Sequence, residues 1–429
     1  MPKTATTKPS APSLTVTAAA ARRFLVLRTG LGRPAGAKPM WPDPSEVVAA
    51  VRGLEYVQVD PMQVLACNHD LVLGARVGAY RPQALDDALY RDRSLVEVIA
   101  RNRYIVPASD FGIFRLRFAE TEQRSRPGLE ELEPLMQRVL RRIEAQGPLS
   151  SLDFAEETAT ISGWWEPDGQ SRTRAVRQAL EWLWHFGRVA ISHRAGQRRY
   201  FDLPERLFGP GAVPTPYVTG AGAGPPLQDA AQLREALLRK YIRAVGLVDP
   251  RDWGFGWTRY SAAEKKALLE RSVRAGDLIP VAIVGVTASY FVAAEHAHQL
   301  AAAGGLEIQP DLHFLPPLDN LIWLRSRMAD LFKFEYTWEA YTPRAKRKYG
   351  PYTCPILRGD ALVGRIDAHL DRERFALVVD RLWWEPGAPP VSADEMARAL
   401  QAWAQANGAI SVDDPGPALL EAARASATP

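Results

Sequence analysis

The sequence predicts an α+β fold in which winged helix-turn-helix units precede a small antiparallel sheet or barrel. Three observations carry this. Residues 129–203 read as three helices, with a break after the first, and then a two-stranded hairpin. Residues 233–293 repeat that order more faintly. From Phe314 onward the texture turns strand-like and aromatic.

At 429 residues the chain exceeds one ordinary domain. With 47% hydrophobic and 24% charged residues it can bury real cores. The net charge of +4 lies on the nucleic-acid side of neutral. The excess is arginine-rich, and arginine suits bidentate phosphate contacts, although a GC-rich coding sequence produces the same bias. Only Cys67 and Cys354 are present, which excludes a disulfide framework or a cysteine-based zinc site and fits a reducing cytoplasm. The histidines, His296 and His298 included, show no HExxH-like spacing, so neither metal nor cofactor is expected. No apolar stretch approaches the ~18 residues of a membrane span. Residues 1–14 read as a disordered tail without the apolar region of a signal peptide.

Thr17 to Leu27 reads as an Ala-rich helix, with Phe24 and Leu27 at core spacing and Thr29-Gly30-Leu31-Gly32 as its stop. Ser45 is placed to cap a second helix through Val51. Next comes Leu54-Glu-Tyr-Val-Gln-Val-Asp-Pro61, where Val57 and Val59 alternate with Gln58 and Asp60. That period of two predicts a half-buried strand, valines inward, Gln58 and Asp60 projecting together, ended by Pro61. A carboxylate beside a carboxamide can position and deprotonate a water molecule or stabilise a positive charge. Solvated strand pairs of this kind are common, so spacing alone does not make the pair catalytic. Between Leu71 and Ile105 further short helices are expected, with Arg76, Tyr80, Arg81, Arg91 and Arg93 on a basic surface. Residues 15–125 form the first unit on this reading.

In the second unit, 126–208, Leu135, Val139, Leu140 and Ile143 recur at helical spacing, and after the break at Gly147-Pro148 either Ser150 or Ser151 caps the next helix. Thr173 to Phe186 is the best helix of the sequence, with Arg172, Arg174 and Arg177 crowding its N-terminal end. Arg188–Arg194 and Arg198–Leu203 then form a hairpin, with Arg194, Arg198 and Arg199 at its tip. A winged helix-turn-helix sends one helix into the major groove and lays its wing on the backbone, so these arginines are expected on phosphates. A solvated basic hairpin is the alternative. Residues 209–227 are a linker: ten of the eighteen residues from Gly209 to Pro226 are Gly or Pro. In the third unit, 228–305, Leu233–Val245 and Ala262–Ala275 are helices, and Leu278–Val286 pairs with Ser289–Ala293. In the last domain, 306–390, Tyr336–Tyr341, Pro355–Leu357, Leu362–Asp367 and Phe375–Val379 read as strands. Between them Pro343–Tyr352 carries basic residues followed by tyrosines, among them Arg347 and Lys348. Residues 391–429 hold a closing helix, Ala393–Ala406, and a tail.

Four stretches resemble the bacterial YcaQ/AlkZ/AlkX-type DNA glycosylases. They are Tyr56–Pro61 with His69 and Arg76; Gly163-Trp-Trp with Gln178–Leu183 and Tyr200–Arg206; Leu315–Trp323 with Arg325 and Arg327; and Leu331–Tyr336 with Tyr341-Thr-Pro, Arg347–Gly350 and Gly364–Asp367. The resemblance implies three winged-helix units and a C-terminal β-barrel clamped around duplex DNA, acting as a cytoplasmic monomer. It makes Gln58-Val59-Asp60 the family's catalytic motif, with Asp60 stabilising an oxocarbenium-like sugar and activating water, and Gln58 orienting the water. It also implies DNA or pocket contacts for His69, Arg76, Arg325, Arg347 and Lys348. The expected substrates are purines alkylated at N7 or N3, extending to interstrand cross-links. No lysine is placed for a Schiff base, so a monofunctional glycosylase is expected. Departures include Ala66-Cys67-Asn68-His69 for Ala-Arg-Ala-His, Gly74 for a common Trp, Val98–Asn102, and Pro316-Pro317-Leu318-Asp319 for Ser-Pro-Phe-Asp. These put substrate range in doubt. The rival reading is a non-catalytic winged-helix DNA-binding protein or regulator.

Overall fold

A computed structural model describes residues 13–162, 172–209 and 229–413. Residues 1–12 of the expected tail, the Gly163-Trp-Trp stretch and residues 210–227 of the Gly/Pro linker lie outside them. The chain forms two compact units, each assembled from segments distant in sequence. One comprises Met1–Pro82, Tyr241–Phe255 and Arg259–Pro429; the other comprises Gln83–Lys240 and Gly256–Thr258.

In the first unit, Thr17 Oγ1 accepts the Ala20 N–H at 3.1 Å and so starts the helix Ala18–Arg28. Such a cap contributes about 1 kcal/mol. Ahead of it, Leu14–Val16 is not tail but a strand, parallel to Leu278–Ile283. That strand pairs antiparallel with Tyr290–Ala293, which pairs in turn with Leu247–Val248. Phe24, Leu25, Val26, Tyr290, Val292, Leu321, Ile322 and Met328 share one core. Consecutive domains therefore do not describe this unit: the first helix and the hairpin near residue 290 bury the same apolar surface. Asp43, not Ser45, makes the capping box ahead of Val47–Leu54, because its side chain accepts the Ser45 N–H while Glu46 reaches back.

The C-terminal sheet is open, with order Leu312–Phe314, Cys354–Arg358, Ala361–Asp371, Ala376–Trp384, Ser411–Asp413. Its first three pairings are antiparallel and its last is parallel, so the expected antiparallel barrel is met in part, by a curled half-barrel that does not close. The helix Ala393–Ala406, capped by Ser392, packs Met396, Leu400 and Ala404 into the same core as Ile356, Val363 and Leu377. Tyr336–Tyr341 is not a strand; a short turn of helix occupies Glu339–Tyr341.

In the second unit, Leu95–Ile99 and Arg103–Pro107 form a hairpin where short helices were expected. Four of the five residues in each strand are buried, which pairing satisfies. Glu133–Gln146 and Ala175–His185 pack through Leu135, Val139, Ile143, Val176, Leu180 and Leu183. The hairpin Ala190–Ala195 with Arg198–Asp202 follows, and the helix expected after Ser150 is a single turn, Ser151–Asp153, which Ser150 caps.

Candidate active site

Glu55 closes the helix Val47–Leu54 in the left-handed region, and its carboxylate pairs with Arg243. The chain then runs extended, but the strand is only Val57–Gln58. Tyr56, Val57 and Gln58 are buried in succession, Gln58 at 6% exposure. The segment is thus enclosed on both faces, and Gln58 does not project into solvent beside Asp60. Asp60 is half-buried, and its Oδ1 accepts the Met62 N–H at 2.9 Å, which fixes the turn at Pro61.

Two buried asparagines hold this backbone. Asn68 Nδ2 donates to the Gln58 carbonyl at 2.9 Å, and Asn320 Nδ2 donates to the Tyr56 carbonyl at 2.9 Å. Asn68 Oδ1 accepts the Leu318 N–H at 3.3 Å, tying the strand to Pro316–Asn320. Next to Asn320, Asp319 forms a two-bond ion pair with Arg76 at 2.7 and 2.8 Å, both side chains at 0% exposure. Arg76 also donates to the Thr29 carbonyl at 2.6 Å and the Val72 carbonyl at 2.8 Å. It is an internal brace and not part of the basic surface expected of it. A guanidinium with several donors in one plane can hold a carboxylate and two loops at once.

Tyr352 is 2% exposed, and its hydroxyl is buried with no hydrogen-bond partner among the described residues. Burial first, then the neighbouring Cys354 thiol and the Asp60 carboxylate, push the phenol far up, so it remains a neutral donor. Trp338 meets Tyr352 edge-on at 6.4 Å, and its own Nε1 is likewise buried without a partner among the described residues. Beyond it, Glu339 accepts the backbone N–H groups of Lys348 and Tyr349 at 2.9 Å and of Gly350 at 3.0 Å. Those three bonds fold back the basic loop, in which Arg344, Lys346 and Lys348 are exposed. Burial and its three N–H donors act oppositely on Glu339, and the carboxyl ends below its usual range. Tyr352 ends the basic stretch whose tyrosines were expected on nucleic acid, but it is buried; Glu339 was missed, because an acidic side chain in a loop carries no spacing signal.

The model for the family described as DNA glycosylase AlkZ-like matches residues 51–406, most of the chain. This chain belongs to the AlkZ-like DNA glycosylase family. Among solved structures, the Streptomyces sahachiroi DNA glycosylase AlkZ is similar with a TM-score of 0.61 and 16% identity, covering 93% of this chain and 99% of that chain. At that identity the likeness speaks to fold. No helix among the described residues is long and apolar enough to cross a membrane.

Several cationic residues singled out in this AlkZ-like chain are committed internally. Arg325 donates to the Ile322 and Pro317 carbonyls at 2.6 and 2.7 Å and stacks 4.4 Å over Tyr336. Burial lowers its pKa. Arg347 donates to the Thr342 carbonyl at 2.8 Å, while Lys348 is exposed. In the second unit, Arg174 holds the carbonyls of Ser151, Phe154 and Glu157. Arg194 binds both oxygens of buried Glu97 at 2.8 Å and Tyr90 Oη at 2.8 Å. Arg199 pairs with Glu181 over the rings of Trp184 and Phe201, and burial brings it down to about 10. Arg177 and Arg198 are exposed. Arg172 lies opposite Ser162 in a two-stranded pairing. His69 is half-buried beside Cys67 and Asp70, a grouping of donors that the scattered histidines and two distant cysteines do not foretell.

Proposed function

We propose that this chain is a monofunctional glycosylase that hydrolyses the N-glycosidic bond of purines alkylated at N7 or N3 in duplex DNA, cross-linked purines included. The observation that carries the reading is Asp60: a half-buried carboxylate on a doubly held backbone, with a neutral phenol nearby. Alkylation makes the base cationic, so the C1′–N bond breaks with its electron pair returning to the base. The sugar becomes oxocarbenium-like, and the Asp60 carboxylate stabilises that charge more than the ground state. Water then adds to C1′ and gives its proton to Asp60. The buried Gln58 serves through its carbonyl, by which Asn68 holds the segment, and the neutral leaving base needs no general acid.

The helix–helix–hairpin order of 133–202 supports a winged unit, with exposed Arg177 and Arg198 on phosphates. Exposed Lys348, in the basic loop, is assigned the same role.

Base release from duplex DNA carrying N7-alkylguanine or a nitrogen-mustard cross-link tests the assignment. Asp60→Asn should lose about 10²–10⁴-fold in rate while DNA affinity stays nearly unchanged. Normal turnover by that variant removes Asp60 from the chemistry. Tight binding without release by the wild type turns the reading to a non-catalytic DNA-binding protein.

A further inference from the structure

Just after the candidate catalytic strand, three donor side chains of different chemistry converge. The thiol of Cys67, a ring nitrogen of His69 and a carboxylate oxygen of Asp70 all lie within 4.8 Å of one another. We propose that they hold a divalent, zinc-like cation, and that the ion pins the Gln58–Asp60 segment. Ligand atoms around tetrahedral zinc stand roughly 3–4 Å apart, given bonds of about 2.0–2.3 Å. His69 Nε2 and Asp70 Oδ2 are already 3.8 Å apart. A thiolate and an imidazole in the set favour Zn²⁺ or Co²⁺ over Mg²⁺ or Ca²⁺. Three protein ligands leave one position for water, as in open zinc sites.

The surroundings are those of oriented ligands. Tyr80 Oη donates to Asp70 Oδ1 at 2.7 Å, leaving Oδ2 toward His69, and Gln63 Nε2 donates to Cys67 Sγ at 3.0 Å. Outer hydrogen bonds of this kind fix ligand geometry. His69 Nδ1 is shut off from solvent and has no hydrogen-bond partner among the described residues.

The link to the strand is Asn68. It sits between two of the ligands, is 0% exposed, and donates to the Gln58 carbonyl. A cation fixing Cys67 and His69 also fixes Asn68, and through it the backbone that carries Gln58. This binding does not depend on the reaction assigned to Asp60.

The test titrates the chelator-treated, reduced full chain with Co²⁺. A thiolate-to-cobalt charge-transfer absorption should appear, saturate at one equivalent and vanish on adding Zn²⁺. Cys67→Ser should abolish it, and His69→Gln should weaken Co²⁺ binding at least about tenfold. Circular dichroism checks that both variants fold. With Zn²⁺, hydrogen exchange of the amides at 57–62 should slow in the wild type and not in Cys67→Ser. No band from folded wild type, or a band that survives Cys67→Ser, overturns the site, since the other thiol, Cys354, is 3% exposed. A band without slowed exchange overturns the pinning.

Discussion

Replacing Asp319 by Asn should be among the most destabilising single changes near the candidate active site. The carboxylate and the Arg76 guanidinium are both fully enclosed and joined by bonds of 2.7 and 2.8 Å. Asn keeps the shape but removes the charge, leaving a cationic guanidinium in a low-dielectric interior. Removing one partner of such a pair typically costs about 3–5 kcal/mol, whereas replacing both by apolar groups is often neutral. Asp319 Oδ1 also accepts the Leu321 N–H at 2.8 Å, so the turn carrying Asn320 loosens as well. At roughly 2–4 °C per kcal/mol, thermal unfolding of the full chain should fall by about 6–20 °C. The double variant Arg76→Met/Asp319→Leu should recover most of that loss. Because Asn320 holds the Tyr56 carbonyl, base release by Asp319→Asn should drop more than DNA affinity does. A shift below about 2 °C, or a double variant no better than the single one, refutes the reasoning.

Three further outcomes are expected. Gly350 has φ +151°, and an added Cβ would lie 2.1 Å from Asp367 Oδ2; Gly350→Ala should therefore cost about 1–3 kcal/mol and release the basic loop, read as faster proteolysis near Lys346 and Lys348. Burial first, then Asp380, raises Asp367 to about 6, so the folded state binds more protons than the unfolded one between roughly pH 4 and 6. Stability should fall by about 1–2 kcal/mol as pH rises through that window, after discounting for solvent screening, and stay flat above it; Asp367→Asn should abolish the slope in urea titrations. Arg177→Glu/Arg198→Glu should weaken DNA binding and reduce the salt slope, whereas Arg194→Gln should lower stability by about 3–5 kcal/mol because it strands Glu97, which is 3% exposed.

Helix ends were legible in the sequence where chemistry is local. Ala262–Ala275 and Ala393–Ala406 stand at the bounds read from the sequence: Ser261 with Glu264 makes a capping box ahead of the first, and Ser392 Oγ accepts the Glu395 N–H ahead of the second. The strand Leu14–Val16 was not legible, because three residues pair in parallel with a segment more than two hundred positions away. The hairpin Leu95–Pro107 was hidden by the charged residues around its turn, Arg101 and Arg103 among them. Arginine roles are the hardest to read. Arg194 and Arg198 sit four residues apart on one hairpin, yet one faces a buried glutamate and the other faces solvent. Only the fold decides which cation has a carboxylate to satisfy.

The same logic explains why the candidate catalytic strand is so short. Two residues of ladder cannot by themselves hold a carboxylate in register, so position must come from side chains that grip the backbone from elsewhere. Asn320 and the Arg76–Asp319 pair supply part of it, and they fall in two of the stretches that carry the resemblance to YcaQ/AlkZ/AlkX-type glycosylases. Asn68 supplies the rest, and it is one of the departures, standing where Ala is usual. A chain that places an amide there gains a bond to the Gln58 carbonyl, and with Cys67 beside it gains a thiol next to His69 and Asp70. Asn68→Ala thus separates the two contributions. If the asparagine positions the strand, base release should fall while Arg76 and Asp319 keep the fold intact, and Zn²⁺ should no longer slow exchange at 57–62. If release and exchange are unchanged, the strand is held by Asn320 alone and the departure is neutral.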